Sequence, residues 1–191
     1  MARGRQTELA VLGALSVQPM TGYAVREEIR QLLGHFWSES YGQIYPALAE
    51  LQRDGLIEAQ QGARPGSSTY ALTAAGRGRL AELLRQPHQP APPRNALMLR
   101  LFFGRTLGAE ACSALLRHAK TEAEHRLAQF QAIRAELATD PHTQHHAYWL
   151  ITISAGEHTA RAAIAWADES LTALSQQNDA QARTQTPHDG P

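Results

Sequence analysis

Apolar side chains recur three or four positions apart in three successive segments near the start of the chain, which is the spacing of one face of an α-helix. Each expected helix start is a threonine or serine, whose side chain can accept hydrogen bonds from free backbone N–H groups. The third helix has the strongest signals, because Ser40 and Gln43 form a capping box and Gly55 follows its end. The three helices are therefore predicted after Thr7, after Thr21 and over residues 40–51.

After the third helix, the spacing of apolar residues changes from that of a helix to that of β-strands. Leu56–Gln61 and Ser68–Leu72 predict two strands joined by the turn-forming residues 62–67, and Thr73 is expected to cap a fourth helix that runs to about Leu84. This order of elements is that of a winged helix-turn-helix, in which the third helix enters the DNA major groove and the hairpin, or wing, reaches the adjacent backbone. A small α+β domain that binds no nucleic acid fits the same order.

The second half of the chain is expected to be helical, so the fold class is mainly α. Residues 109–138 and 150–174 each carry a continuous apolar stripe at helical spacing. Together they carry more apolar surface than a domain of this size needs for its own core. We therefore expect them to form a homodimer interface, with Gly156 allowing a close backbone approach. Packing of the two stripes against each other is the alternative.

Prolines and composition set the expected boundaries. A winged helix-turn-helix domain over 1–86 is followed by a proline-rich linker over 87–94, through which neither helix nor sheet should continue. A helical dimerisation and effector domain over 95–175 precedes a tail over 176–191. The tail lacks apolar periodicity and is expected to be disordered.

Composition excludes several classes of protein. Among 191 residues, 18 basic and 18 acidic side chains balance, and the single cysteine cannot form an internal disulfide. No apolar run approaches the length that crosses a bilayer, and no phosphate loop, nucleophile elbow or carboxylate pair predicts an enzyme. We expect a cytoplasmic protein without catalytic activity, without a metal site and without a cofactor.

The first region resembles the DNA-binding domain of the PadR family of bacterial transcriptional regulators. The second region resembles the longer C-terminal domain of one PadR subfamily. In the first region the resemblance is carried by Thr21-Gly22-Tyr23, by the segment QIYPAL from Gln43, by DGLI from Asp54 and by YALTAAGR from Tyr70. In the second region it is carried by LRLFFG from Leu99, WLITISAG from Trp149 and AIAW from Ala163.

The resemblance implies a homodimeric repressor that binds double-stranded operator DNA and is released by a small apolar or phenolic effector. One departure concerns the wing, where the family commonly carries Lys or Arg just before the segment that begins at Tyr70. Here Ser67, Ser68 and Thr69 stand in that place, with Arg64 as the nearby basic residue. Any phosphate contact from this part of the wing would come from hydroxyl groups.

The candidate DNA contacts lie at the start of the third helix and in the wing. A glutamine can bond adenine through both its donor and its acceptor, and a tyrosine hydroxyl suits phosphate oxygens. Gln43 has the alternative of serving its capping box alone. The candidate set is Ser40, Tyr41, Gln43, Tyr45, Arg64, Ser67 and Ser68.

The candidate effector contacts follow from the resemblance, which implies a cavity bordered by aromatic and polar residues of the C-terminal helices. Trp149 would supply a stacking surface, and His158 or Arg161 could pair with an acidic group. The alternative for each of the three is core packing or ordinary surface charge.

A second function stays open at this point. Residues 1–86 carry nine arginines against eight acidic side chains, which is a weak electrostatic footprint for DNA binding. The balance, together with the serine-rich wing, favours a winged-helix protein-interaction module without DNA binding as the alternative to a repressor.

Overall fold

The computed structural model describes residues 2–30, 41–61, 68–87, 94–139 and 144–185. The chain divides into two compact units, Met1–Ala91 and Pro92–Pro191. The first unit contains α1 (Ala2–Val17), β1 (Met20–Thr21), α2 (Gly22–Glu28), α3 (Tyr41–Arg53), β2 (Ile57–Gln61), β3 (Ser68–Leu72) and α4 (Ala74–Arg85). The second contains α5 (Ala96–Phe102), α6 (Gly104–Leu107), α7 (Ala109–Ala138) and α8 (His146–Gln185).

The first unit has one apolar core, to which its helices and its sheet contribute. The side chains with the least exposure come from α1, α2, α3 and β2, and include Val11, Leu12, Val25, Ile44 and Leu48. Helix α1 begins at Ala2, before the predicted start, so Thr7 is buried within it and is not its cap. The Arg and Gln residues that precede Thr7 are good helix formers and extend the helix towards the N-terminus.

Threonine caps begin two helices where the sequence predicted them. Thr21 Oγ1 accepts a hydrogen bond from the Ala24 N–H at 3.1 Å, and Thr73 Oγ1 accepts one from the Gly76 N–H at 3.0 Å. The Thr73 hydroxyl also donates to the Gly55 carbonyl at 2.8 Å, which ties α4 to the end of α3. The predicted capping box of α3 involves Ser40, which lies outside the described residues.

Gly55 ends α3 as predicted, although the helix runs to Arg53, two residues beyond the expected end. Gly55 has φ 70°, in the left-handed region that glycine adopts without strain. The Leu56 N–H bonds the Leu51 carbonyl at 2.9 Å and the Gly55 N–H bonds the Gln52 carbonyl at 3.1 Å. This pair of bonds is a Schellman motif. Because it uses the Leu56 N–H, β2 begins one residue later than predicted.

The sheet has the order β1-β3-β2 and is antiparallel. The predicted hairpin is confirmed, with Ile57 opposite Leu72 and Gln61 opposite Ser68. Strand β1 was not predicted, because two residues are too few to show an alternating pattern. Its Met20 pairs with Tyr70 and is buried in the core.

The second unit is built on an antiparallel hairpin of two long helices. Lys120 Nζ of α7 lies 2.6 Å from Asp168 Oδ1 of α8, and Arg134 Nε lies 2.7 Å from Glu157 Oε1. Residue numbers therefore fall along α8 as they rise along α7. Helix α7 has the bounds that the sequence predicted.

The two apolar stripes pack against each other within one chain, as the alternative interpretation of their pattern expected. Ala123, Phe130, Ala160 and Ala167 are all buried between the helices of this unit. Gly156 does permit a close approach, but the group that occupies the space is the Phe130 ring of the same chain. Seven-residue spacing predicts a packed helix face and does not say which helix covers it.

Helix α8 corrects the expected start of the disordered tail. The helix continues to Gln185, ten residues into the stretch 176–191. Extending an existing helix costs little when most of the added residues are good helix formers, as seven of these ten are (Ala, Gln or Arg), even if they have no apolar face. Among the described residues, no helix has both the length and the hydropathy that would be needed to cross a bilayer.

Candidate nucleic-acid interface

Helix α3 has one face buried in the core and one face open to solvent. Ile44, Leu48 and Leu51 are almost fully buried and anchor the helix. Gln43 and Tyr45 are exposed, as the sequence predicted from their positions off the buried stripe. The first turns of α3 therefore present an amide and a phenol on a rigidly held helix.

A close contact between α2 and α3 sets the position of the Tyr45 ring. A Cβ atom added at Gly22 would lie 3.1 Å from Tyr45 Cε1 and 3.3 Å from Leu48 Cδ1. The missing side chain at Gly22 thus leaves room for the two helices of the helix-turn-helix to pack. Sequence reasoning missed this role, although the glycine directly after the Thr21 cap was a signal for it.

Tyr23 is a further exposed aromatic residue, on α2 and next in sequence to Gly22. Its side chain is 62% exposed, and the Arg26 guanidinium carbon lies 5.6 Å from the centre of its ring. A guanidinium over an aromatic face is a cation–π contact. The contact positions the cation of α2 beside an exposed hydroxyl-bearing ring.

The wing is only partly described. Ser68 is exposed at the start of β3, opposite Gln61 of β2. Three of the predicted DNA contacts, Ser40, Arg64 and Ser67, lie outside the described residues, and so does the side chain of Tyr41. Gln43, Tyr45 and Ser68 are thus the predicted contacts that the structure locates, and all three are exposed.

The three predicted effector contacts do not converge within one chain. Trp149 is half-buried and stacks on His145, with ring centres 5.6 Å apart. His158 is exposed and follows Trp149 by nine residues. Since each helical residue turns by about 100°, the two side chains leave α8 on opposite sides.

Arg161 has a carboxylate partner within its own chain, and its predicted pairing with an acidic effector stays a prediction. Its Nη2 lies 3.2 Å from Glu157 Oε2, while Arg134 Nε of α7 binds the other carboxylate oxygen of Glu157 at 2.7 Å. Glu157 is 6% exposed. The hydrogen bond from Arg134 lowers the pKa of the Glu157 carboxyl, and Arg161 adds to the effect against the opposing influence of desolvation. The cluster holds the two helices in one register.

Known families match both units. The description "Transcriptional regulator PadR-like family" fits residues 11–82, and "Virulence activator alpha C-term" fits residues 93–175. The negative transcriptional regulator PadR of Bacillus subtilis is 30% identical over 132 residues, which span 66% of this chain and 72% of that protein.

Solved structures extend the likeness to both units. Bacillus subtilis PadR in complex with operator DNA aligns with a TM-score of 0.74 and 25% identity, over 87% of this chain and 98% of that one. The same protein in complex with p-coumaric acid aligns with a TM-score of 0.72 and 24% identity, over 88% of this chain and 98% of that one.

The fold and these likenesses define a winged-helix transcriptional regulator with a helical C-terminal region. The chain belongs to the PadR-like family of transcriptional regulators. The resemblance drawn from the sequence motifs is thereby confirmed.

Proposed function

We propose that the protein is a repressor that binds operator DNA as a homodimer and leaves it when a small apolar or phenolic effector binds. The observation that carries the proposal is the exposure of Gln43 and Tyr45 on α3, whose opposite face is anchored in the core. The B. subtilis relative is named a negative regulator, and its solved complex contains operator DNA. A repressor of this kind acts on the chromosome in the cytoplasm and needs no catalytic site.

The recognition helix would read DNA through its first turns. In a helix-turn-helix, residues near the start of the second helix reach base edges in the major groove. Gln43 can accept from and donate to one adenine, and the Tyr45 hydroxyl can donate to a phosphate oxygen. Ser40, Tyr41, Arg64, Ser67 and Ser68 remain proposed contacts to the adjacent backbone.

The homodimer would use apolar side chains that the helical hairpin leaves uncovered. Leu99 of α5 and Phe103, which directly follows that helix, are each more than 60% exposed, as are Tyr148 and Ile151 at the start of α8. Exposed apolar patches of this kind mark interaction surfaces. A two-fold dimer predicts a palindromic operator whose half-sites lie about 34 Å apart or a multiple of that distance.

Fluorescence anisotropy with labelled DNA tests the proposal. The DNA is the promoter region next to the protein's own gene and a scrambled version of equal length. We expect Gln43→Ala to weaken binding to the operator by about 1–3 kcal/mol and to relax the preference at one base pair. Tyr45→Phe keeps the ring against Gly22 and loses only the hydroxyl, so it should weaken binding to both DNAs by a similar factor.

Gln52→Ala is the matched control, because Gln52 is an exposed glutamine nine residues further along the same helix and therefore on its opposite side. Its binding should equal that of the unaltered chain. Equal losses on both DNAs for Gln43→Ala would show that Gln43 only supports the helix.

The second candidate function, a winged-helix protein-interaction module, is favoured by the near balance of charge in residues 1–86. It makes the opposite prediction for the same assay. If neither DNA is bound at low salt, where phosphate contacts are strongest, the repressor proposal is wrong and the module replaces it.

A further inference from the structure

An open groove of about 990 Å³ lies within the helical unit, where α5 and α6 run beside the start of α7 and the later part of α8. This volume is at the upper end of the range for small-molecule sites. The groove is separate from the positions of Trp149, His158 and Arg161, none of which lines it.

Two short interruptions between helices shape one wall of the groove. Phe103 separates α5 from α6, and Gly108, with φ 88°, turns the chain into α7. Gly104 lets α6 approach α7 closely, since a Cβ atom there would lie 2.8 Å from Cys112 Sγ. The buried Cys112 thiol donates to the Gly104 carbonyl at 3.5 Å and closes the wall.

The lining is mainly apolar, with more aliphatic than aromatic side chains and one positive charge. Among the described lining residues, Met98, Leu101, Leu116 and Leu174 are aliphatic, and Arg105 is the single charged side chain. Within the described part of the chain, no carboxylate lies within ion-pair distance of Arg105. Glu110, a carboxylate five residues further along the sequence, pairs with Arg117 at 2.8 Å.

We propose that this groove binds an aliphatic monocarboxylate, with the carboxylate on Arg105 and the alkyl chain along the leucine-rich wall. The inference rests on the proposed function, because it names the site and the chemical class of the effector. A guanidinium forms two parallel hydrogen bonds to a carboxylate, and the absence of an anion among the described lining residues leaves that cation for the ligand. Aliphatic lining residues outnumber the two aromatic ones, Phe102 and Trp166, which favours a flexible chain over a flat ring.

The position of the groove along the chain connects it to regulation. Helix α5 is the first described helix after residues 87–94, which join the winged helix to the helical unit. A ligand that touches Phe102 of α5 and Arg105 of α6 therefore acts on the first two described helices after this junction. Release of DNA requires the ligand to favour one arrangement of that element over another.

Calorimetric titration of the full chain with hexanoate, octanoate and decanoate tests the proposal. Each added methylene that enters the groove should tighten binding roughly 2- to 4-fold, as expected for apolar burial. 1-Octanol, which has the chain without the charge, should bind about 10-fold or more weakly than octanoate. p-Coumarate, with a flat ring, should bind more weakly than decanoate.

Two arginine variants locate the carboxylate. Arg105→Ala should reduce octanoate affinity about 10-fold or more and leave 1-octanol affinity nearly unchanged. Arg100→Ala is the control, since Arg100 is an exposed arginine on the neighbouring helix α5 and does not line the groove. It should bind octanoate like the unaltered chain.

Tryptophan fluorescence locates the alkyl chain. Trp166 lines the groove and Trp149 does not, so decanoate should change the emission of Trp149→Phe but have a much smaller effect on Trp166→Phe. The reverse result would place the ligand near Trp149 and overturn the proposal.

Three other results would also overturn it: no acid binds, p-coumarate binds more tightly than every alkyl acid, or Arg105→Ala binds octanoate normally. If no acid binds and Phe102→Asp converts a dimer to a monomer in sedimentation, the groove holds the partner subunit.

Operator binding by the unaltered chain without ligand is measured in parallel. If the unaltered chain does not bind the operator, the proposed function is wrong. If it binds the operator but no alkyl acid, only the proposal of a ligand site in the groove is wrong.

Discussion

Gly156→Ala in α8 is expected to destabilise the helical unit, although the same exchange stabilises an ordinary helix position. Gly156 faces the ring of Phe130, which is 5% exposed and lies in the interior of the hairpin. A Cβ atom at this position would lie within 3.0 Å of three carbon atoms of that ring. The ring would have to move, and close packing on both helices opposes that movement.

Two opposing effects set the magnitude. Alanine is better than glycine inside a helix by about 0.8–1.0 kcal/mol. Overpacking a well-filled interior costs about 1–3 kcal/mol. The expected net loss is about 1 kcal/mol, within a range of roughly 0–2 kcal/mol.

Urea unfolding followed by circular dichroism measures the effect at one fixed protein concentration, because a dimer's stability depends on concentration. Gly78→Ala is the control, since Gly78 lies in α4 with no atom within 4 Å of an added Cβ. That variant should gain about 0.8–1.0 kcal/mol in the transition of the winged unit. In a Phe130→Leu background, which removes the ring, Gly156→Ala should become neutral or stabilising.

The reasoning fails if Gly156→Ala stabilises the unaltered background as much as Gly78→Ala does. It also fails if the effect of Gly156→Ala is the same with Phe130 and with Leu at that position, within about 0.5 kcal/mol, because the coupling between the two residues would then be absent.

Three further predictions concern the caps, the charge cluster and the dimer. Thr73→Ala loses the cap on the Gly76 N–H and should cost the winged unit about 0.5–2 kcal/mol in urea unfolding, whereas Thr73→Ser should recover most of the loss. The lowered pKa of Glu157 means that its contribution to stability is present above the unfolded-state pKa and is lost as pH falls through the folded-state value. Thermal midpoints between neutral and acidic pH should therefore depend less on pH in Glu157→Gln than in the unaltered chain, and an unchanged profile would contradict this. A chain that ends at Gln86 should sediment as a monomer while the full chain sediments as a dimer; a stable dimer of the short chain would reject dimerisation through the helical unit.

Local features of the fold could be predicted from the sequence because they depend on residues close together in the chain. The Thr21 and Thr73 caps bond N–H groups three residues ahead, and Gly55 ends α3 through bonds that span five residues at most. The bounds of α7 follow from helical periodicity in the same way. For the candidate site, the exposure of Gln43 and Tyr45 followed from their position relative to the buried stripe of α3.

The partners of each face were decided by tertiary structure alone. A stripe such as Ala123 and Phe130 requires burial but does not specify whether the covering helix belongs to the same chain. Glu157 lies 23 residues beyond Arg134 in sequence and reaches it only because the hairpin folds back. Glu157 also binds Arg161, which is therefore not a free cation. The groove around Arg105 has the same origin, since its walls come from segments that lie up to 79 residues apart. Contacts over such separations depend on how whole elements pack, and no periodicity within a single element encodes them.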